Sequence, residues 1–444
     1  MTNQPVTDHP AHVVNWRHRA WLVAGVTFVV LVTASACRSS LGVFLAPVSD
    51  DFGWSTATVS FAVTVNLIVY GLTVPFAAAI MERFGLGRVI AGALALISLG
   101  LILTAVMTAP WQLVALWGLF LGFGAGCTAL VFGAIIAQRW FVTRRGLVTG
   151  LFSAAFATGQ LIFLPNLARL TQDHGWRTAA LTLAVVAIAI IPLALLYLRE
   201  TPSDVGGRPY GAADDWSEPA RDSHGDLGVA RLALMRLREA ARTRVFWILA
   251  GSFFVCGWST NGLIGTHFIA AGHDHGLPST TAASLLAVVG IFDLVGTIGS
   301  GWLTDRYDSR YLLGIYYVLR GVSLLLLHLV WASTVQPPMF LFVVLYGLDW
   351  VATVPPTVAL CRECFGPQRA GVIFGWVFAA HMIGAGMSSW VAGIIRVNTG
   401  SYDLAWWSAG LLCLLAAIAC LVIPRGEVPT TPDHMGLLRS PTPS

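Results

Sequence analysis

The chain has 444 residues, 56% of them hydrophobic and only 11% charged, with a mean hydropathy of +0.73 and a formal net charge of +4. A soluble domain carries roughly twice that charged fraction, so a single water-soluble globule is excluded. All 26 basic residues are Arg; without Lys there is no phosphate-loop lysine and no Schiff-base lysine, which argues against ATP-driven pumping by this chain alone.

Crossing a bilayer takes about 20 apolar residues, and only a helix satisfies its own backbone there. Twelve such runs are read along the chain, here numbered spans 1 to 12: about 20–46, 55–80, 89–108, 111–138, 146–168, 177–198, 245–270, 280–302, 312–333, 338–361, 371–396 and 403–424. The first apolar run is too long for a secretory signal core, so no cleaved signal is expected. With the N-terminus in the cytoplasm, 21 Arg fall on the cytoplasmic side, Arg38 and Arg320 lie inside spans, and only Arg169, Arg177 and Arg396 face outward. That bias predicts a multi-pass protein of the inner (plasma) membrane with both termini cytoplasmic.

In span 1, Arg38 sits among small neighbours, Ala36-Cys37-Arg38-Ser39-Ser40. A charge at this depth costs about 2.5–3.5 kcal/mol on insertion scales, so it needs a partner or a wet cavity. Its planar fork matches a carboxylate. Two readings stay open: a carboxylate substrate, or a standing ion pair with an internal Asp. Span 2 offers Asn66 and Tyr70, and span 5 offers Gln160; each is either path-lining or interhelical glue. Gly122, Gly124 and Gly126 in span 4 lack a preceding strand, so close helix packing is expected there rather than nucleotide binding.

The loop after span 2 carries Glu82, Arg83 and Arg88, and the loop after span 8 carries Asp305, Arg306 and Arg310. Phe141 and Arg145 follow span 4, and Phe365 and Arg369 follow span 10. The step from Glu82 to Asp305 equals the steps from Phe141 to Phe365 and from Arg145 to Arg369 to within a single position. Two landmarks with one spacing, half the chain apart, imply a duplicated architecture. The expected organisation is a six-helix bundle at 1–198, a cytoplasmic linker at 199–243, a second six-helix bundle at 244–425 and a disordered cytoplasmic tail at 426–444. The linker holds an acidic patch (Asp214, Asp215, Glu218) and then a basic amphipathic stretch from Leu232 to Arg244, expected on the lipid surface.

Asn261 and His267 lie in span 7, and His273-Asp274-His275 in the outward loop beyond it reads as solvated rather than metal-binding. Span 8 holds Asp293 within Gly290-Ile291-Phe292-Asp293. Span 9 holds Arg320, as far from the shared loop as Asp293 on the antiparallel neighbour, so an Asp293–Arg320 ion pair is predicted. A carboxylate beside a cation that engages and leaves suits proton coupling. Asp349 in span 10 reads as a second proton site or as the partner of Arg38. His381 in span 11 titrates near neutrality in water and is a secondary candidate. Cys361-x-x-Cys364 has no second ligand pair, and no metal or cofactor is expected.

The run Gly301-x-x-x-Asp305-Arg306-x-x-x-Arg310 resembles the cytoplasmic-loop signature of the major facilitator superfamily, whose first copy here has Ala78 and Glu82 in place of Gly and Asp. The resemblance implies an all-α membrane fold of twelve helices in two pseudo-symmetric bundles. It also implies a cytoplasmic latch made by Glu82, Arg83, Arg88, Arg145, Asp305, Arg306, Arg310 and Arg369; topogenic charge is the plainer reading of the same residues. Arg38-Ser39-Ser40-Leu41-Gly42-Val43-Phe44, followed by Phe52-Gly53-Trp54-Ser55, is similar to span 1 of monocarboxylate porters in that superfamily. These place a Lys or Arg where Arg38 stands, and an Asp and an Arg four apart in span 8. Asp293 matches the Asp, but Thr297 holds the Arg position. A related oxalate/formate type places a Lys in span 11, where this chain has His381 in a comparable stretch.

The resemblance implies a secondary transporter, expected to be a monomer that moves a small organic anion, a monocarboxylate, with protons by alternating access. Arg38, Asn66, Tyr70, Gln160, Asn261 and His381 would face substrate, and Asp293, Arg320 and Asp349 would serve coupling. The alternative is a drug-type antiporter or exporter of the same fold. An enzyme is not expected, since neither H-E-x-x-H nor G-x-S-x-G occurs, and no nucleic-acid partner is expected.

Overall fold

The computed structural model describes residues 18–213 and 227–426. Span 1 is Arg19–Phe52, span 2 Thr56–Phe84, span 3 Leu86–Thr104, span 5 Arg145–His174 and span 6 Trp176–Tyr197. Span 4 joins Pro110–Leu113, a π-helical Val114–Leu121, Gly122–Cys127 and Leu130–Trp140. Span 7 joins Arg244–Gly257, a π-helical Trp258–Ile264 and Gly265–Asp274. Span 8 is Ser279–Thr304, span 9 Ser309–Leu326, span 10 Pro337–Asp349 with Val354–Phe365, span 11 Pro367–Thr399 and span 12 Asp403–Leu421. Eleven of these are long and apolar enough to cross a membrane, and the 30-residue span 5 is the twelfth helix.

The duplication is visible in local geometry. Gly53 ends span 1 at φ 64°, and its counterpart one repeat later, Gly276, follows span 7 at φ 80°. Both conformations are strained for any residue with a Cβ. Spans 4 and 10 both break inside the membrane, and their second pieces restart at matching positions of the repeat, Leu130 and Val354. The packing pairs repeat as well: 1 with 5 and 7 with 11, 3 with 6 and 9 with 12, 2 with 4 and 8 with 10. Spans 6 and 12 turn apolar side chains outward; Val185 is 64% exposed and Leu415 62%. Stripes of this kind suit lipid rather than water.

The halves meet along spans 1 and 7, 2 and 11, and 5 and 8. The approach is close because the residues are small. A Cβ on Gly42 would lie 2.8 Å from the carbonyl oxygen of Gly265, and one on Gly386 2.8 Å from that of Thr64. The Thr64 hydroxyl donates to the Gly386 carbonyl at 2.7 Å. Within span 4, Gly122 and Gly124 do what the sequence suggested, bringing the helix against the backbones of Asn66 and Ala93.

At the helix ends, several residues of the expected latch can be placed. Arg310 pairs with Asp308, not with Asp305, and its Nη1 donates to the Ile423 carbonyl at 3.1 Å, tying the span 8–9 loop to the end of span 12. Asp308 also caps span 9 through Arg310 N–H, at 3.0 Å. Asp305 is exposed and makes no ion pair among the described residues. Arg306 folds back over its neighbour Trp302, 3.9 Å from the ring centre. In the first half, Arg88 lines a surface cleft of about 390 Å³ with Arg199, Glu200 and Asp204, and Arg83 lies over Phe84 at 5.2 Å. Arg369 is half-buried. The side chains of Glu82 and Arg145 lie outside the description.

The linker departs from a free tether. Tyr210 N–H donates to the Trp140 carbonyl at 2.8 Å, Val142 N–H to the Tyr210 carbonyl at 2.9 Å, and the Tyr210 ring meets Trp21 and Phe141. The helix Leu227–Ala240 lies against spans 2 and 11, with Trp376 Nε1 donating to the Ala233 carbonyl at 3.0 Å. One face of it thus packs on protein, while Leu234 and Met235 stay exposed. The acidic patch at Asp214, Asp215 and Glu218, and the tail from 427, lie outside the described residues.

Two outcomes follow for stability. Gly296→Ala would drive a Cβ into the Leu348 carbonyl, whereas Gly299→Ala, in the same helix, meets nothing within 4 Å. Overpacking costs about 1–3 kcal/mol, so thermal unfolding in detergent shows a lowered Tm for Gly296→Ala and none for Gly299→Ala. The Arg310 guanidinium holds the Asp308 carboxyl down at about 2. A depressed carboxylate stabilises above its unfolded value and loses that contribution as pH falls through its folded value. Asp308→Asn thus lowers Tm at pH 7 by an amount in keeping with about 0.2–1 kcal/mol for a part-exposed pair. The gap to the wild type narrows as pH drops from 4 towards 2.

Candidate functional site

Arg38 is half-buried where span 1 passes the middle of the molecule, and it lines two cavities. The first, of about 60 Å³, lies towards the N-terminal end of span 1 among Ser35, Tyr70, Thr128, Ala129 and Phe152. The second, of about 40 Å³, lies towards its C-terminal end among Ser39, Gly42, Asn261, Thr266 and Trp350. A site needs about 10–15 Å³ of this measure to hold one water, so each has room for a few waters. The Arg38 guanidinium carbon lies 5.2 Å from the centre of the Tyr70 ring, within cation–π range.

The first cavity borders the break in span 4. There the Thr128 hydroxyl donates back to the Gly124 and Ala125 carbonyls at 3.1 Å each, ending the helix without a proline. Cavity and cation share one floor because the small residues Ala34, Ser35 and Ala129 leave the space unfilled.

The other named residues divide. Tyr70 and Asn261 face a cavity with Arg38. Asn66 does not; it is buried, and its Nδ2 donates to the Trp117 carbonyl at 2.7 Å, binding span 2 to span 4. His381 is buried behind Asn261, Nε2 to Nδ2 at 3.0 Å, and stacks on Phe378. Its partner Asn261 lines the second cavity. The Gln160 side chain lies outside the description. His267 donates from Nε2 to the Ser389 carbonyl at 2.8 Å and meets the Tyr402 hydroxyl at 3.2 Å, a packed interhelical link. Asp274, expected in water, pairs with Arg396 at 2.7 Å.

The buried charges of the second half are arranged differently from the sequence expectation. Arg320 pairs with Asp349, Nε to Oδ2 at 2.6 Å, and not with Asp293. Asp349 is correspondingly not a partner of Arg38. The cause is the break in span 10. Pro355 and Pro356 have no N–H to offer the carbonyls of Val351 and Ala352, so residues 350–353 leave the helix. Arg320 Nη2 takes up the carbonyls of Asp349 and Trp350, and Nη1 reaches Cys256 Sγ at 2.9 Å. Asp293 takes the other side of the break: its Oδ1 accepts from Val351 N–H and from the Thr297 hydroxyl, both at 3.0 Å. Asp293 makes no ion pair among the described residues. Trp350 and the break itself escaped the sequence reading, although the Pro355-Pro356 pair was there to signal them.

Among the described residues no group of three His, Cys, Asp or Glu side chains is placed to hold a metal. The chemistry on offer is a cation bordered by a cavity on two sides with a ring beneath it, and a carboxylate, Asp293, at the break in span 10.

Comparison with known proteins agrees with this architecture. The sequence profile of the Major Facilitator Superfamily matches residues 27–292 and 254–442. An uncharacterized MFS-type transporter, YcxA, of Bacillus subtilis is 24% identical over 387 residues, covering 86% of this chain and 90% of the relative. Monocarboxylate transporter 13 of Rattus norvegicus is 25% identical over 409 residues, covering 91% and 89%. The solved D-xylose-proton symporter superposes with a TM-score of 0.70 at 15% identity, covering 92% of this chain and 99% of that one. A bacterial homolog of the human lysosomal transporter Spinster, inward-facing and occupied, gives 0.69 at 15% identity, covering 93% and 97%. With the profile running through both repeated halves, this chain belongs to the major facilitator superfamily.

Proposed function

We propose that the protein is a proton-coupled symporter of a small monocarboxylate, working by alternating access in the plasma membrane with both termini in the cytoplasm. The observation that carries this reading is Arg38, one membrane-embedded guanidinium bordering a water-sized cavity on each side. A carboxylate bound there is met by a planar donor fork, and rocking the two halves about the site would present it to either face. The small volumes favour a small anion; drug-sized ligands occupy pockets of about 300–1,000 Å³. The relatives named as monocarboxylate transporters support the same class of cargo.

In this reading Tyr70 and Asn261 line the path, and His381 orients Asn261. Asp293 carries the proton, because Asp349 is already engaged by Arg320. Arg320 therefore acts at a distance from Asp293, as the clamp on Asp349, and the Thr297 hydroxyl stands where the porters place a cation.

Purified protein in liposomes is expected to take up labelled L-lactate several-fold faster with an inward proton gradient. Arg38→Ala removes a charge-assisted contact worth about 1.5–3 kcal/mol and lowers the initial rate at least about tenfold, with Arg38→Lys intermediate. Wild-type uptake by Arg38→Ala overturns the assignment. Asp293→Asn is expected to keep lactate exchange across the membrane while losing accumulation driven by the gradient; preserved accumulation removes Asp293 from the coupling role.

A further inference from the structure

Every residue of the unwound stretch in span 10 is gripped by a side chain from another helix. Arg320 of span 9 holds the carbonyls of Asp349 and Trp350. Asp293 of span 8 holds the Val351 N–H at 3.0 Å. Ser300 of span 8 donates to the Ala352 carbonyl, and Cys256 Sγ of span 7 lies 3.3 Å from the Thr353 hydroxyl. Spans 8 and 10 touch backbone to backbone beside this point, since a Cβ on Gly296 would overlap the Leu348 carbonyl and one on Gly347 would press on Phe292. The side chain of Trp350, inside the same stretch, lines the second cavity together with Arg38.

From this arrangement we infer that the unwound stretch Trp350–Thr353 is the coupling element that carries the protonation state of Asp293 to the Arg38 cavity. The inference rests on the symport reading above. A carboxylate accepts a hydrogen bond about twice as strongly as a neutral group. When a proton from water binds the carboxylate, Val351 N–H keeps only a neutral acceptor, and the stretch loosens on that side. The other grips come from Arg320, which also holds the Asp349 carboxylate, from the Ser300 hydroxyl and from the Cys256 thiol. The charged groups facing Asp293 are Arg320 from span 9 and Asp349 from span 10; span 5 carries no titratable side chain between Gly146 and Ala168. Trp350 shifts with the loosened backbone and reshapes the wall opposite Arg38, so that proton and anion affinities become linked through one two-state element.

Hydrogen–deuterium exchange on the full-length protein tests the first half without any substrate. Peptides covering 349–354 are expected to exchange several-fold faster in Asp293→Asn than in the wild type at the same pH, while peptides across the span 4 break at Leu130 do not change. Equal exchange at 349–354 overturns the inference. The second half uses Pro355→Ala with Pro356→Ala, which restores two helix donors. L-lactate is expected to bind this variant with a Kd that varies less than twofold between pH 6 and 8, where the wild-type Kd varies about tenfold; an unchanged pH dependence overturns the link. If the double variant does not fold, the exchange comparison decides alone. If L-lactate binds neither protein while exchange behaves as stated, the anion assignment fails and the helix device stands.

Discussion

Hydrocarbon offers no hydrogen bonds, and nearly every feature of this molecule follows from that. Each broken turn and each buried charge must find its partner inside the protein. In the second half the broken turn of span 10 is met by side chains of three neighbouring helices. The proline pair at 355–356 opens span 10, and Asp293, Arg320, Ser300 and Cys256 close around the exposed backbone. Two opposite charges that would each be costly alone are stabilised by one defect, and the defect by them.

The first half solves the same problem another way. Its break, at Thr128–Ala129, is smaller and is closed partly by the Thr128 hydroxyl. One repeat earlier, the positions matching Asp293 and Arg320 fall on Tyr70 or Val69 and on Ile97 or Leu96, so the repeat supplies no carboxylate and no second cation there. What stands beside this break is Arg38 with a cavity on either side. One half thus carries an ion pair and a carboxylate closed around a helix break, and the other a cation over the Tyr70 ring with a cavity on either side. That asymmetry, set within a symmetric frame, is what separates a coupling side from a binding side in the proposed mechanism.

Much of this was legible in the sequence, and the limits have physical causes. Helix existence, the repeat offset and the depth of Arg38 follow from length, hydropathy and position, which the bilayer enforces. Equal depth also put Asp293 and Arg320 correctly near one another. It did not give their partners, because depth along a helix says nothing about which way a side chain turns once a third helix unwinds between them. Asn66 reads as path-lining or glue with equal right until its donor is seen on the Trp117 carbonyl. Asp308 pairs with Arg310 and was not singled out, because loop geometry decides which carboxylate reaches the guanidinium. The docking of Tyr210 on Trp140 has no local signal at all, since a single bridge between a linker and a helix end leaves no periodicity.

The claim on which the functional account stands is that Arg38 is a ligand-accessible cation. Calorimetric titration of L-lactate into detergent-purified protein, with Arg38→Gln and Asn66→Ala side by side, addresses it most directly. The account predicts saturable binding to the wild type and to Asn66→Ala, whose lost contact lies between helices, and none to Arg38→Gln. Equal affinity in the wild type and Arg38→Gln would contradict it.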